Sequence, residues 1–177
     1  VIGTLDFTNR FIPALRAQKR GRIVLVSSVV GRVVIPFLGV YSASKFAVEA
    51  IAAGLRIELG PAGISVSIVE PGPIKTSFRK RVVSEAARGL EMRNSVFAKQ
   101  YAKELSEPER TYARPTDVFQ KPPEAVARKI VHALESQWPR ARYPVTGAAW
   151  LGCFAARFFP ARLIDRLLSS KVIGKEV

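Results

Sequence analysis

The chain has 177 residues, 48% of them hydrophobic, enough for one domain with a substantial core. Lys and Arg number 28 against 14 acidic residues, a formal net charge of +14. The basic residues spread over several predicted helices and loops rather than clustering with aromatics, so nucleic acid is not an expected partner. Cys153 stands alone, which excludes an intrachain disulfide and a cysteine-based zinc site and fits a reducing compartment such as the cytoplasm.

No basic segment followed by an apolar one opens the chain, and it begins at Val1 rather than methionine. The expectation is a longer protein of which this is the carboxyl-terminal part. The longest apolar stretch, Gly147 to Pro160, is interrupted by Arg157 and falls short of the ~20 residues a spanning helix needs.

Leu5, Phe7, Phe11, Ile12 and Leu15 recur close to helical spacing and predict an amphipathic helix over Thr4 to Ala17, ended by Lys19-Arg20-Gly21. Arg22 to Ser27 is a short β-branched run, the composition of a strand buried on both faces of a parallel sheet. Gly31 to Val40 contains Gly, Pro36 and Gly39 and reads as a loop. Ser42 to Leu59 is rich in good helix formers and stops at Gly60-Pro61. Ile64 to Val69 is a second buried-type strand, ended by Pro71-Gly72-Pro73.

Strands alternating with long helices imply a parallel sheet covered on both faces, an α/β fold. Phe78 to Arg114 is polar and charged and follows a strand's carboxyl end, where ligands bind in open parallel sheets. It reads either as a substrate lid or as a solvated helical hairpin. Pro123 to Gln137 is a further predicted helix, and Arg142 to Val145 a short strand. The tail, residues 148–177, interleaves Trp150, Phe154, Phe158, Leu163 and Leu167 with Arg157, Arg162 and Arg166, and Pro160 divides it. Such a segment suits ordinary core or subunit packing, closure over an apolar substrate, or a membrane surface. With no internal repeat and no linker, residues 1–177 are expected to be a single domain.

The chemistry lies in three places. Tyr41 and Lys45 are four residues apart near the start of the long helix, hence on one face. An ammonium so placed favours the phenolate and is expected to lower the tyrosine pKa toward working pH, as proton transfer requires. Ser28, thirteen residues earlier at a strand's carboxyl end, can donate to charge developing on a substrate oxygen, or can cap local backbone. The Pro71-Gly72-Pro73-Ile74-Lys75-Thr76 turn leaves backbone near Ile74 and the Thr76 hydroxyl to meet a polar ligand, or simply ends the strand. His132, the only histidine, has no ligand cluster around it, so no metal is expected.

Ser28, the Tyr-Ser-Ala-Ser-Lys run at Tyr41 to Lys45 and the Pro-Gly-x-x-x-Thr pattern at Pro71 to Thr76 resemble, in order and spacing, the classical short-chain dehydrogenase/reductase family. The resemblance runs from Val1 to about Thr76. It implies the carboxyl-terminal half of a Rossmann-type doubly wound parallel sheet with flanking helices, and reversible hydride transfer between NAD or NADP and a carbonyl or secondary alcohol. Tyr41 is then the acid or base, and Ser28 polarises the substrate oxygen. Lys45 lowers the Tyr41 pKa and holds the nicotinamide ribose, while Pro71, Gly72, Ile74 and Thr76 line the cofactor.

The family's glycine-rich phosphate loop and its Asn-Asn-Ala-Gly segment have no counterpart here, and by the resemblance its catalytic asparagine would fall just before Val1. Residues 1–177 alone are therefore expected to be inactive. The Ala141 to Gly147 segment is similar to the tail of members acting on retinoids and steroids, which suggests a small apolar substrate. The first and second helices resemble the pair through which members form homo-oligomers. A non-catalytic binding protein, or a membrane-surface protein that keeps the fold, is the other reading.

Overall fold

A computed structural model describes residues 1–36, 38–77 and 120–172. Helix α1 spans Ile2–Ala17, strand β1 Gly21–Val26, helix α2 Gly39–Leu59 and strand β2 Ile64–Glu70. Helix α3 covers Glu124–Glu135, strand β3 Arg142–Pro144, helix α4 Gly147–Phe158 and helix α5 Ala161–Val172. Single 3-10 turns at Val29–Gly31 and Gly60–Ala62 lead into and out of α2. The expected lid, 78–114, lies outside the described residues.

The three strands form one parallel sheet in the order β1-β2-β3. Gly21 pairs with Ile64 and Val26 with Val69, so β1 and β2 end together at one edge. Along β2 the pleat sends alternate residues to opposite faces. Ile64, Val66 and Ile68 join Leu25 and the α2 residues Val48, Ala52, Leu55 and Leu59 in one core. Val69 faces the other way, into a second core with Ala125 and Ala133 of α3, Tyr143 and Val145. Helices thus cover both faces of the sheet, and the class read from the alternation of strands and helices holds.

The serines between these apolar residues are satisfied rather than merely tolerated. Arg22 donates to the Ser65 hydroxyl at 2.7 Å, and Ser67 donates to the Arg140 carbonyl at 2.8 Å. Gly63 must be glycine, because its φ is 75° and an added Cβ would lie 2.4 Å from the Lys19 carbonyl. That close approach seats the start of β2 beside the start of β1.

Several expected boundaries shift. The α2 helix starts at Gly39, three residues before the expected Ser42, so its first turn consumes part of the loop and includes Tyr41. Strand β1 is less buried than a central parallel strand: Val26 is 45% exposed, and β1 is an edge strand among the described residues. The α1 stripe divides, with Ile12 and Leu15 packed on the first core while Phe7 and Phe11 face outward with ring centroids 4.9 Å apart. Pro160 separates α4 from α5, as its missing N–H dictates. No described helix is long and apolar enough to cross a membrane.

Candidate active site

Because β1 and β2 are parallel, their carboxyl ends deliver Ser28 and Pro71 to the same sheet edge. Ser28 is the N-cap of the 3-10 turn, accepting from the Val30 N–H at 3.4 Å. Its hydroxyl donates to the Pro71 carbonyl at 3.3 Å, and the Val29 N–H donates to the same oxygen at 2.9 Å. The β1 tip is therefore fastened to the turn after β2.

Tyr41 lies in the first turn of α2, half buried, with its phenol beside the Ser28 hydroxyl. Burial raises the phenol's pKa above its ordinary value, and the neighbouring Ser28 hydroxyl pulls in the opposite direction. Ser28 has one proton. When that proton goes to the Pro71 carbonyl, Ser28 can only accept from a protonated Tyr41; when it turns to Tyr41, it stabilises the phenolate. The backbone-capping and substrate-facing readings of Ser28 are thus compatible in one geometry.

Lys45 sits one turn on, with its Nζ 5.8 Å from the centroid of the Tyr41 ring. The ammonium donates to the Val26 carbonyl at 3.2 Å, and half-burial lowers its own pKa. Here the expectation from spacing needs correction. The Tyr41 pKa is raised, not lowered, because desolvation outweighs the stabilising contacts and Lys45 is turned to the β1 backbone.

Past β2, the chain makes an isolated parallel bridge between Ile74 and Lys121. The Lys75 N–H donates to Lys121 at 3.0 Å and the Lys121 N–H to Pro73 at 3.2 Å. In a parallel bridge the flanking peptides make these bonds, so the N–H and C=O of Ile74 point away from Lys121. Gly72 is required for packing: an added Cβ would lie 2.1 Å from the Thr146 Oγ1. Thr146 in turn caps α4, accepting from the Ala149 N–H at 3.1 Å. Thr76 is exposed at the end of this turn.

A buried charged group beside this edge was not read from the sequence. Glu70, the last residue of β2, is fully buried, and Glu49 on α2 is nearly so. The Nη1 of Arg142 donates to Glu49 at 2.6 Å and also to Glu70. Burial raises the Glu70 pKa and the Glu49 charge adds to that, against Arg142 and Arg32. Burial opposes the Arg142 charge, but the hydrogen bond to Glu49 and the carboxylate charges outweigh it and raise its pKa. Cys153 on α4 feels the same group; burial first, and then Glu70, push its thiol up to about 11. The available signal was Glu49 standing eight residues after Tyr41, on the same face of α2.

His132 is exposed, and its Nδ1 lies 2.9 Å from the Tyr143 hydroxyl. That hydroxyl also accepts from the Arg140 N–H at 2.8 Å. No group of His, Cys, Asp or Glu among the described residues could hold a metal ion.

The family model described as short chain dehydrogenase matches residues 1–87. The chain is 39% identical over 94% of its length to a protein of Escherichia coli strain K12 described as the uncharacterized oxidoreductase YbbO, covering 55% of that relative. It is 30% identical over 82% of its length to human 17-beta-hydroxysteroid dehydrogenase type 1, covering 43% of it. The fold superposes on a short chain dehydrogenase from Burkholderia cenocepacia J2315 in complex with NADP, with a TM-score of 0.65 and 23% identity. That match covers 95% of this chain and 56% of the other. The chain thus spans about half the length of the curated relatives it matches. Residues 1–87, which hold the Ser28, Tyr41 and Lys45 pattern at the carboxyl edge of the parallel sheet, thus match the short-chain dehydrogenase/reductase family.

Proposed function

We propose that the protein is an NAD- or NADP-dependent oxidoreductase that interconverts a carbonyl and a secondary alcohol on a small apolar substrate. The observation that carries this reading is the meeting of Ser28, Tyr41 and Lys45 at the carboxyl edge of a parallel sheet, where such folds bind ligands. The similarity to an oxidoreductase and the NADP held by a structural neighbour support the cofactor class. The similarity to a hydroxysteroid dehydrogenase supports an apolar substrate.

The residues fit a nicotinamide half-site. Lys45 offers a cation beside Tyr41, and Ile74 turns its backbone N–H and C=O away from Lys121 toward a potential amide partner. Lys45 would hold the ribose hydroxyls, with Pro71, Gly72, Ile74 and Thr76 lining the ring and its carboxamide. When bound, the nicotinamide supplies or accepts the hydride.

In reduction, Tyr41 gives its proton to the substrate oxygen as negative charge develops there, while Ser28 turns its hydroxyl from the Pro71 carbonyl to that oxygen. In oxidation the phenolate takes the proton from the alcohol. The raised Tyr41 pKa keeps the phenol protonated near neutral pH, which suits reduction. For Lys45 to aid the phenolate, its ammonium must swing from the Val26 carbonyl toward the phenol oxygen.

The exposed rings of α4 favour a subsidiary reading. Trp150 stacks on Phe154 at 5.6 Å and Phe154 lies 4.6 Å from Phe158, and Arg157, Arg162 and Arg166 belong to the same stretch of sequence. This face suits contact with an apolar substrate or with an anionic membrane surface. The outward Phe7 and Phe11 of α1, with Phe46 and Ile57 of α2, suit a homo-oligomer.

The test is turnover by the protein of the complete reading frame, with NADH or NADPH and a panel of apolar ketones. Reduction that falls at least about 100-fold in Tyr41→Phe is expected. Turnover unaffected by that change, or none with either cofactor, overturns the proposal.

A further inference from the structure

Tyr41, Lys45 and Glu49 are spaced i, i+4, i+8 along α2 and share one face. Tyr41 and Lys45 have roles in the proposed chemistry; Glu49 has none. Its carboxylate is tied by Arg142, on β3, to Glu70, which immediately precedes Pro71. Pro71 is the residue whose carbonyl holds the Ser28 hydroxyl and the Val29 N–H. The turn after Ser28 is pressed against the same place: a Cβ on Gly31 would lie 3.1 Å from the Glu49 Cγ and 2.6 Å from the Ser27 Oγ. One guanidinium nitrogen thus joins the element that carries Tyr41 to the turn that holds Ser28.

Stability alone is a weak reason for this arrangement. Burying two carboxylates around one arginine is often matched or bettered by well-packed apolar residues of the same volume. What a network of directed bonds adds is a fixed register between elements, to which a hydroxyl-to-phenol hydrogen bond is sensitive. The geometry points to Glu49, Arg142 and Glu70 as positioning residues that set α2 against the β2 turn and so hold Ser28 and Tyr41 in register. This structural claim stands on the contacts above; its consequence for turnover rests on the proposed function.

The charged and titratable groups facing Glu70 are Glu49 from α2, Arg142 from β3 and Arg32 from the turn after β1, with Cys153 of α4 close by. Glu49→Ala removes the α2 arm of the junction while leaving the Arg142 and Glu70 pair intact, and alanine suits a helix interior. Glu49→Gln keeps an acceptor for Arg142. The readouts are the titration of the Tyr41 phenol by NMR of 13C-labelled tyrosine, assigned with Tyr41→Phe, and kcat for ketone reduction, both on the protein of the complete reading frame.

In Glu49→Ala, shown folded by circular dichroism, the Tyr41 phenol is expected to titrate roughly one pH unit higher than in wild type, as the Ser28 hydroxyl moves away from it. The kcat is expected to fall about 10-fold or more, and Glu49→Gln to recover most of both. If Glu49→Ala titrates like wild type, or Glu49→Gln is impaired equally, the junction has no positioning role. Should the alanine variant not fold, Glu49→Met fills the same space and is judged by the same two readings. A wild-type protein without turnover contradicts the proposed function, and the phenol titration still decides this inference.

Discussion

The Ser28 hydroxyl lies beside the Tyr41 phenol, where the tip of β1 meets the first turn of α2. The contact joins the end of β1 to the start of the helix that crosses over to β2, and it exists because both strand ends and the start of α2 meet at one edge of the sheet. Ser28 also holds the Pro71 carbonyl at 3.3 Å, so its single proton has two destinations. A substrate oxygen arriving beside the phenol competes for it.

Ser28→Ala is therefore expected to lower kcat for ketone reduction by about 100-fold, the order seen when one donor to a developing oxyanion is removed. The β1 tip keeps the bond from the Val29 N–H to Pro71, so the fold should persist. Steady-state kinetics alongside a thermal melt checks both parts; a large fall in Tm with unchanged kcat would assign Ser28 a capping role only.

Gly72→Ala is expected to destabilise the protein by about 1–3 kcal/mol, since the added carbon has to displace Thr146 or the start of α4. Thr146→Ala removes the clashing oxygen but also the α4 cap, itself worth about 1 kcal/mol. The double variant should thus be more stable than the sum of the single changes. Urea denaturation of all four proteins measures this coupling, and strict additivity would count against the contact.

Much of this was legible in the residues. The alternation of apolar runs with helical stretches specified the parallel α/β layers, and three spaced motifs specified which sheet edge carries the chemistry. The face of β2 that turns to α2 could be read from Ile64, Val66 and Ile68. The electrostatics of Tyr41 could not. Spacing showed that Lys45 is near the phenol, but the sign of the shift depends on how deeply the ring is buried and where the ammonium points, both of which are tertiary facts. Glu49, Glu70 and Arg142 were missed for a related reason: they come from three elements separated by 21 and 72 positions, and single carboxylates on a helix or strand end usually face water.

Arg142→Met is expected to cost about 3–5 kcal/mol at pH 7.5, because two buried carboxylates lose their shared donor. The raised pKa of Glu70 sets the sign of the pH effect. The folded state binds this proton more readily than the unfolded state, so ionisation of Glu70 weakens the fold as pH rises from the ordinary carboxylate range through the raised value. The deficit of the variant should shrink at pH 5. Urea midpoints at the two pH values test this, and a deficit that grows on acidification would contradict it.

The most direct measurement of the central claim is the pH dependence of kcat/KM for alcohol oxidation, wild type against Ser28→Ala. Burial raises the phenol pKa while Ser28 lowers it, so the wild-type rate should climb with pH and level off above 10.0, the ordinary value for the phenol. In Ser28→Ala the rise should move to still higher pH. A profile with the same midpoint in both proteins, or one that is flat through this range, would mean that Tyr41 is not the group that takes the proton.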